Sequence, residues 1–189
     1  MSPNLELRQH LSERPMEGFW SIMEQSNKLV AKYLQKYPHL QIFSEKTDKE
    51  ILRALLVGEA VGEPEEGIRA ICHVVLNRVA RAKLGLIFGW SKTIAGACLM
   101  PHQFSCFYSD FKLREKDILT ALEGNRSSFG DKLGLIIDII DELLDHDRHD
   151  ITDGADHYFN PKIVMPSWAA KMRFTKRIGG HDFYDSLKS

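Results

Sequence analysis

The stretch Leu55-Leu56-Val57-Gly58-Glu59-Ala60-Val61-Gly62-Glu63-Pro64 constrains this chain more than any other. An apolar helical run ends in a carboxylate, and two glycines and a proline then force the backbone to turn. A carboxyl at the mouth of a core helix, among apolar neighbours, is poorly solvated. Poor solvation favours its uncharged form, the state that a general acid needs. The same segment also suits a surface helix ending in an exposed acidic loop, and taken alone it slightly favours that reading. Its surroundings shift the balance.

Thr47-Asp48-Lys49-Glu50 reads as a capping box, in which threonine and glutamate satisfy each other's free backbone amides. Ile51, Leu52, Leu55 and Leu56 follow at core spacing and lead to Glu59. A second helix is predicted to open at Pro64, with Glu65 and Glu66 in its positive first turn. Ile68, Ile71, Cys72, Val75, Leu76 and Val79 form its buried stripe. Upstream, apolar side chains from Phe19 to Tyr37 recur at helical spacing from Glu17 until Pro38 stops them. One helix cannot make a core, so residues 1–45 read as a helical extension, not needed for chemistry, on a domain formed by 46–189. Residues 84–110 read as an irregular, cleft-forming loop rich in Gly and aromatics. Helices follow at 113–123 and 131–146, and from Ile151 the pattern suits loops, a hairpin or short strands. The fold class is mainly α (α+β).

At 189 residues, with 43% hydrophobic and 27% charged side chains, the chain can bury one proper core. A formal net charge of -1 gives no global reason to expect a polyanion, and nucleic acid is not an expected partner. Charge is uneven, however. No Asp or Glu occurs from Pro161 to His181, where Lys162, Lys171, Arg173, Lys176 and Arg177 lie. Cys72, Cys98 and Cys106 sit among apolar or aromatic residues and suit a reduced compartment, with a Cys98–Cys106 disulfide left open. Met1 to Leu7 does not read as a signal peptide, and no apolar run suits stable membrane insertion. No cofactor or metal is expected. Asp145-His146-Asp147-Arg148-His149-Asp150 lacks the glycine of a calcium loop and the two-His-plus-Glu arrangement of zinc proteases.

Three blocks carry the chemistry. The first is Gly58-Glu59-Ala60-Val61-Gly62-Glu63, with Gly67 and Val74-Val75-Leu76-Asn77-Arg78-Val79 after it. The second is Pro101-His102-Gln103-Phe104-Ser105. The third runs from Gly154-Ala155-Asp156-His157-Tyr158-Phe159-Asn160-Pro161 through Trp168 to Ile178-Gly179-Gly180-His181-Asp182-Phe183-Tyr184. In this order and spacing they resemble the cell-wall hydrolase family that includes the spore-cortex-lytic enzymes, over roughly residues 48–184. The resemblance implies a compact lysozyme-like domain that cleaves peptidoglycan glycan strands, with Glu59 at the family's catalytic position. Its best-known members are lytic transglycosylases, which need one acid/base carboxyl. With no leader evident, the chain further resembles a bacteriophage endolysin. It would then accumulate in the host cytosol as a monomer and act on the wall after release.

Glu63 is the rival carboxylate. Four residues after Glu59 it would share a helix face, but Gly62 and Pro64 turn it out of helical geometry. It reads as a brace for the next helix, with a second catalytic carboxylate, and so a two-carboxylate muramidase, left open. Gln103, Tyr158 and Asn160 are the candidate substrate contacts, two amides for N-acetyl groups and a phenol for stacking and hydrogen bonding. Asn77 and Arg78 read as structural braces, and Asp156 as part of a surface turn. A wall-binding module without chemistry is the competing class.

Overall fold

The computed structural model describes residues 28–87, 89–145 and 149–187. Helix α1 covers 28–36, and Pro38 then opens a 3-10 segment, Pro38–Phe43. The helix start expected at Glu17 lies outside the described residues. Helix α2 (Asp48–Ala60) begins with the expected capping box. The Glu50 N–H donates to the Thr47 hydroxyl at 3.3 Å, and the Thr47 N–H donates to the Glu50 carboxylate at 2.9 Å. Eight of its thirteen residues are buried, so it is apolar nearly all round and must be the central element. Helix α3 (Glu65–Lys83) follows, with Pro64 just outside it in extended conformation rather than in its first turn.

Residues 84–110 are less irregular than expected. They hold the short helix α4 (Ile94–Cys98), capped by the Thr93 hydroxyl, and a 3-10 turn at Ser105–Phe107. Neither is long enough for hydrophobic periodicity to reveal it. Helix α5 (Phe111–Glu123) ends at Gly124, whose φ of 77° is a left-handed stop. Helix α6 (Lys132–Asp145) completes the shell, and α3, α4, α5 and α6 all pack on α2. Tyr33, Leu34, Leu40 and Phe43 bury their side chains in this same core, and the Phe43 ring lies 4.8 Å from that of Phe107.

The C-terminal part is a three-stranded antiparallel sheet of β1 (His157–Phe159), β2 (Arg173–Ile178) and β3 (His181–Asp185), in the order β1-β3-β2. Tyr158 pairs with Phe183 across β1 and β3. Strand alternation sends Tyr158 one way, onto Phe183 and His181, and His157 and Phe159 the other way, onto Trp168. The chain is thus mostly helical with a small sheet near its end, as its pattern predicts.

Candidate active site

Glu59 is the half-buried exception at the end of an otherwise apolar helix. Each of its oxygens has one donor. The Cys106 backbone N–H reaches Oε1 at 3.1 Å, and the Tyr158 hydroxyl reaches Oε2 at 3.1 Å. Gly58 makes the first contact possible. A Cβ there would stand 2.6 Å from the Cys106 Cβ and 2.8 Å from its Sγ, so any larger residue would push the 105–107 turn off α2. Buried Phe104 and Phe107 anchor that turn on either side. Burial, and then the charge of Glu59, push the Tyr158 phenol well above its ordinary value, so its hydroxyl stays protonated.

Tyr158 comes from β1, and β1 is tied to α3 by charge. Asp156, expected in a surface turn, is instead fully buried. Its carboxylate accepts from Arg81, from the Ser186 hydroxyl and from the Ser186 N–H at 3.0 Å, and meets His157 Nδ1 at 2.8 Å. Burial opposes its charge, but His157, Ser186 and Arg81 outweigh that and hold it below the usual carboxylate range. Arg81 also donates to Asp185 of β3 at 2.9 Å. One turn earlier on α3, the Asn77 amide donates to Asp150 at 2.8 Å and to the Ala155 carbonyl at 2.9 Å. Asn77 therefore braces the segment entering β1.

Arg78 is a stronger feature than a brace. It is buried, donates from Nε to the Asp156 carbonyl at 2.8 Å, and lies 5.0 Å from the ring centres of both Trp90 and Phe104. Burial pulls its guanidinium down, while Tyr158, Asp156, Cys98 and Glu59 pull it back up. Its Nη1 is buried with no hydrogen-bond partner. The cation therefore holds together the Phe104 turn, the Trp90 loop and the start of β1. A charged residue on the apolar stripe of α3 was the available signal. The Cys106 amide gave none, because a backbone donor has no residue code.

Glu63 serves a different place. Its Oε2 accepts from the Gly180 N–H at 2.9 Å, and its Oε1 is 3.6 Å from His181 Nδ1. The carboxylate fits between glycines. A Cβ at Gly179, where φ is 58°, would come within 2.4 Å of Oε2, and one at Gly67 within 3.0 Å. Glu63 thus holds the β2–β3 turn to the start of α3 rather than bracing the helix alone. Asn160 is half-buried and takes the Lys162 N–H on its Oδ1 at 2.9 Å, so its amide begins the β1–β2 loop. Gln103 is exposed in the turn that precedes Phe104.

All three cysteines are free and buried, and burial pushes the Cys72 thiol up to about 12 and those of Cys98 and Cys106 well up. Among the described residues no cluster of His, Cys, Asp or Glu could hold a metal ion. His146, Asp147 and Arg148 lie outside them.

A helical core presenting one half-buried carboxyl to a tyrosine on a small sheet defines an acid/base enzyme domain. The model of the cell wall hydrolase family matches residues 62–184, and the chain belongs to that family. The match begins just after Glu59, so the role of that residue rests on the geometry above. The chain is similar in fold to the catalytic domain of the germination-specific lytic transglycosylase SleB from Bacillus anthracis. The two share 23% identity and a TM-score of 0.52, over 75% of this chain and 96% of that one. Against the catalytic domain of the Bacillus cereus SleB protein the values are 22% and 0.48, over 74% and 91%. Curated protein sequences give no match.

Proposed function

We propose that this chain cleaves the glycan strands of peptidoglycan, between N-acetylmuramic acid and N-acetylglucosamine, as a lytic transglycosylase. The observation that carries the reading is the separate ligation of its two carboxylates. Glu59 has one donor on each oxygen, whereas Glu63 is engaged by Gly180 and His181. A backbone N–H can only donate, so Oε1 accepts in both protonation states of Glu59. The acidic proton then belongs on Oε2, where the Tyr158 hydroxyl can turn to accept it.

Glu59 gives that proton to the glycosidic oxygen as the bond to muramic acid C1 breaks. The carboxylate left behind keeps the Cys106 N–H and regains the Tyr158 hydroxyl as donors. It then takes the proton of the C6 hydroxyl as that oxygen closes on C1. The product is a 1,6-anhydro ring and no water is consumed, so one carboxyl suffices. The lytic transglycosylase description of the Bacillus anthracis relative supports the same chemistry. Gln103 and Asn160 are assigned to N-acetyl contacts, Gln103 being exposed and Asn160 half-buried.

Mass spectrometry of muropeptides released in water labelled with heavy oxygen tests the reading. Anhydro ends without label are expected. Labelled reducing ends would instead make the enzyme a muramidase, with Glu63 or Asp156 as the next carboxylate to test. A role as a phage endolysin, accumulating in the host cytosol until a separate pore releases it, belongs to the same proposal and rests on the sequence resemblance. Expression with and without a pore-forming partner checks it, since lysis should require both.

A further inference from the structure

The connection from β1 to β2 carries three consecutive apolar side chains in water. Ile163 is 81% exposed, Val164 51% and Met165 71%. Such a run is unfavourable on a free surface and marks a contact. It is not isolated. Trp168 at the far end of the loop packs on Tyr184 at 5.7 Å, and Tyr184 packs on Phe174 at 5.6 Å, itself 49% exposed. An aliphatic tip thus continues into an aromatic rim on the outer face of the sheet.

The charge around it has one sign at the surface. Lys162 and Lys171 flank the loop and are exposed. On β2, the Arg177 side chain is 64% exposed while its partner Asp182 is 8% exposed. Arg173 is 39% exposed while Asp185 is 1% exposed. The carboxylates face inward and the cations outward. Lys176 alone meets an exposed acid, Asp153, at 3.3 Å.

We propose that this loop and rim form a peripheral docking surface for an anionic phospholipid bilayer. The aliphatic tip would enter the hydrocarbon boundary, Trp168 and Tyr184 would lie at headgroup level, and Lys162 and Lys171 would meet lipid phosphates. A sugar polymer fits less well, because Ile163, Val164 and Met165 offer neither a ring face nor a hydrogen bond. The proposal is independent of the role of Glu59, and Glu59→Gln protein should bind vesicles as the wild type does.

The test is co-sedimentation of the full chain with vesicles of phosphatidylcholine alone or mixed equally with phosphatidylglycerol. Binding is expected only to the mixed vesicles, and it should weaken as salt rises. Ile163→Ser with Met165→Ser should lower partitioning at least about tenfold. Lys162→Gln with Lys171→Gln should lower it about tenfold. Both double variants should cleave purified peptidoglycan at the wild-type rate, which also reports that they fold. The proposal is overturned if the wild type ignores the mixed vesicles, or if the Ile163/Met165 variant binds them unchanged. It is equally overturned if that variant loses peptidoglycan binding instead, which would make the loop a glycan contact.

Discussion

Glu59 rides on a helix buried on nearly every side, whereas Tyr158, which faces it, rides on a strand pinned by ions. The floor of the site is α2, held by Leu52, Leu55, Leu56 and Val57, all fully buried. The opposite wall is β1, held by Asp156 with Arg81, by Asn77 with Asp150, and through β3 by Arg81 with Asp185. Apolar burial is indifferent to pH and salt over ordinary ranges. Buried ion pairs are not, and losing one partner leaves an uncompensated charge. The two halves of the site therefore fail under different conditions, although a single hydrogen bond joins them.

The largest effect separates chemistry from both supports. Glu59→Gln keeps the shape of the side chain but cannot transfer a proton, and turnover should fall about 10²–10⁴-fold with an unchanged unfolding curve. Near-normal clearing of a peptidoglycan suspension by that folded variant would falsify the assignment.

Breaking the wall comes next. Asp156→Ala leaves Arg81 without its fully buried partner and should cost about 3–5 kcal/mol, read from urea unfolding. The same network predicts an acid response. The Asp156 and Asp150 carboxyls lie below the ordinary value of 3.8 in the folded chain. The stability they contribute is complete above that value and is lost as pH falls through their lower folded values. Tryptophan fluorescence, reporting Trp90 and Trp168, should change at a higher pH than far-ultraviolet circular dichroism does. Coincident transitions would show that wall and floor do not differ in this way.

Cutting only the link between the halves should cost less. Tyr158→Phe removes one hydrogen bond to Glu59 and should lower kcat about tenfold to a hundredfold, as expected for a bond to a charged group worth about 1.5–3 kcal/mol. The fold should survive, because the ring keeps its stacking on Phe183. An unchanged kcat would mean that Cys106 alone positions the acid. The smallest change is expected from Glu63→Gln, which keeps one oxygen for Gly180 and loses the charge. A stability loss of about 1 kcal/mol with the same anhydro product is expected, and a switch of product would promote Glu63 to catalyst.

The helical half was legible because its signals are local. The Thr47–Glu50 box, the α2 and α3 stripes and the Gly62–Pro64 break each act within a few residues. Glu59 could be singled out for the same reason. The wall was less legible. Asp156 reads as a turn residue in sequence, and only the docking of β1 on α3 makes it a buried counter-ion. Glu63 was placed outside the helix correctly by Gly62 and Pro64, but its partner Gly180 lies 117 residues away. Tyr158 was picked as a sugar contact, and the structure gives it the acid to hold.

The sequence distances within the site have a consequence for biogenesis. Glu59 meets Cys106 across 47 residues and Tyr158 across 99. Closing such long loops is entropically slower than winding α2 and α3, whose contacts are nearly all local. During synthesis the acid leaves the ribosome well before the strand that holds it. A nascent or half-refolded chain therefore has its helices but no positioned proton donor, and activity returns only when the last strand docks.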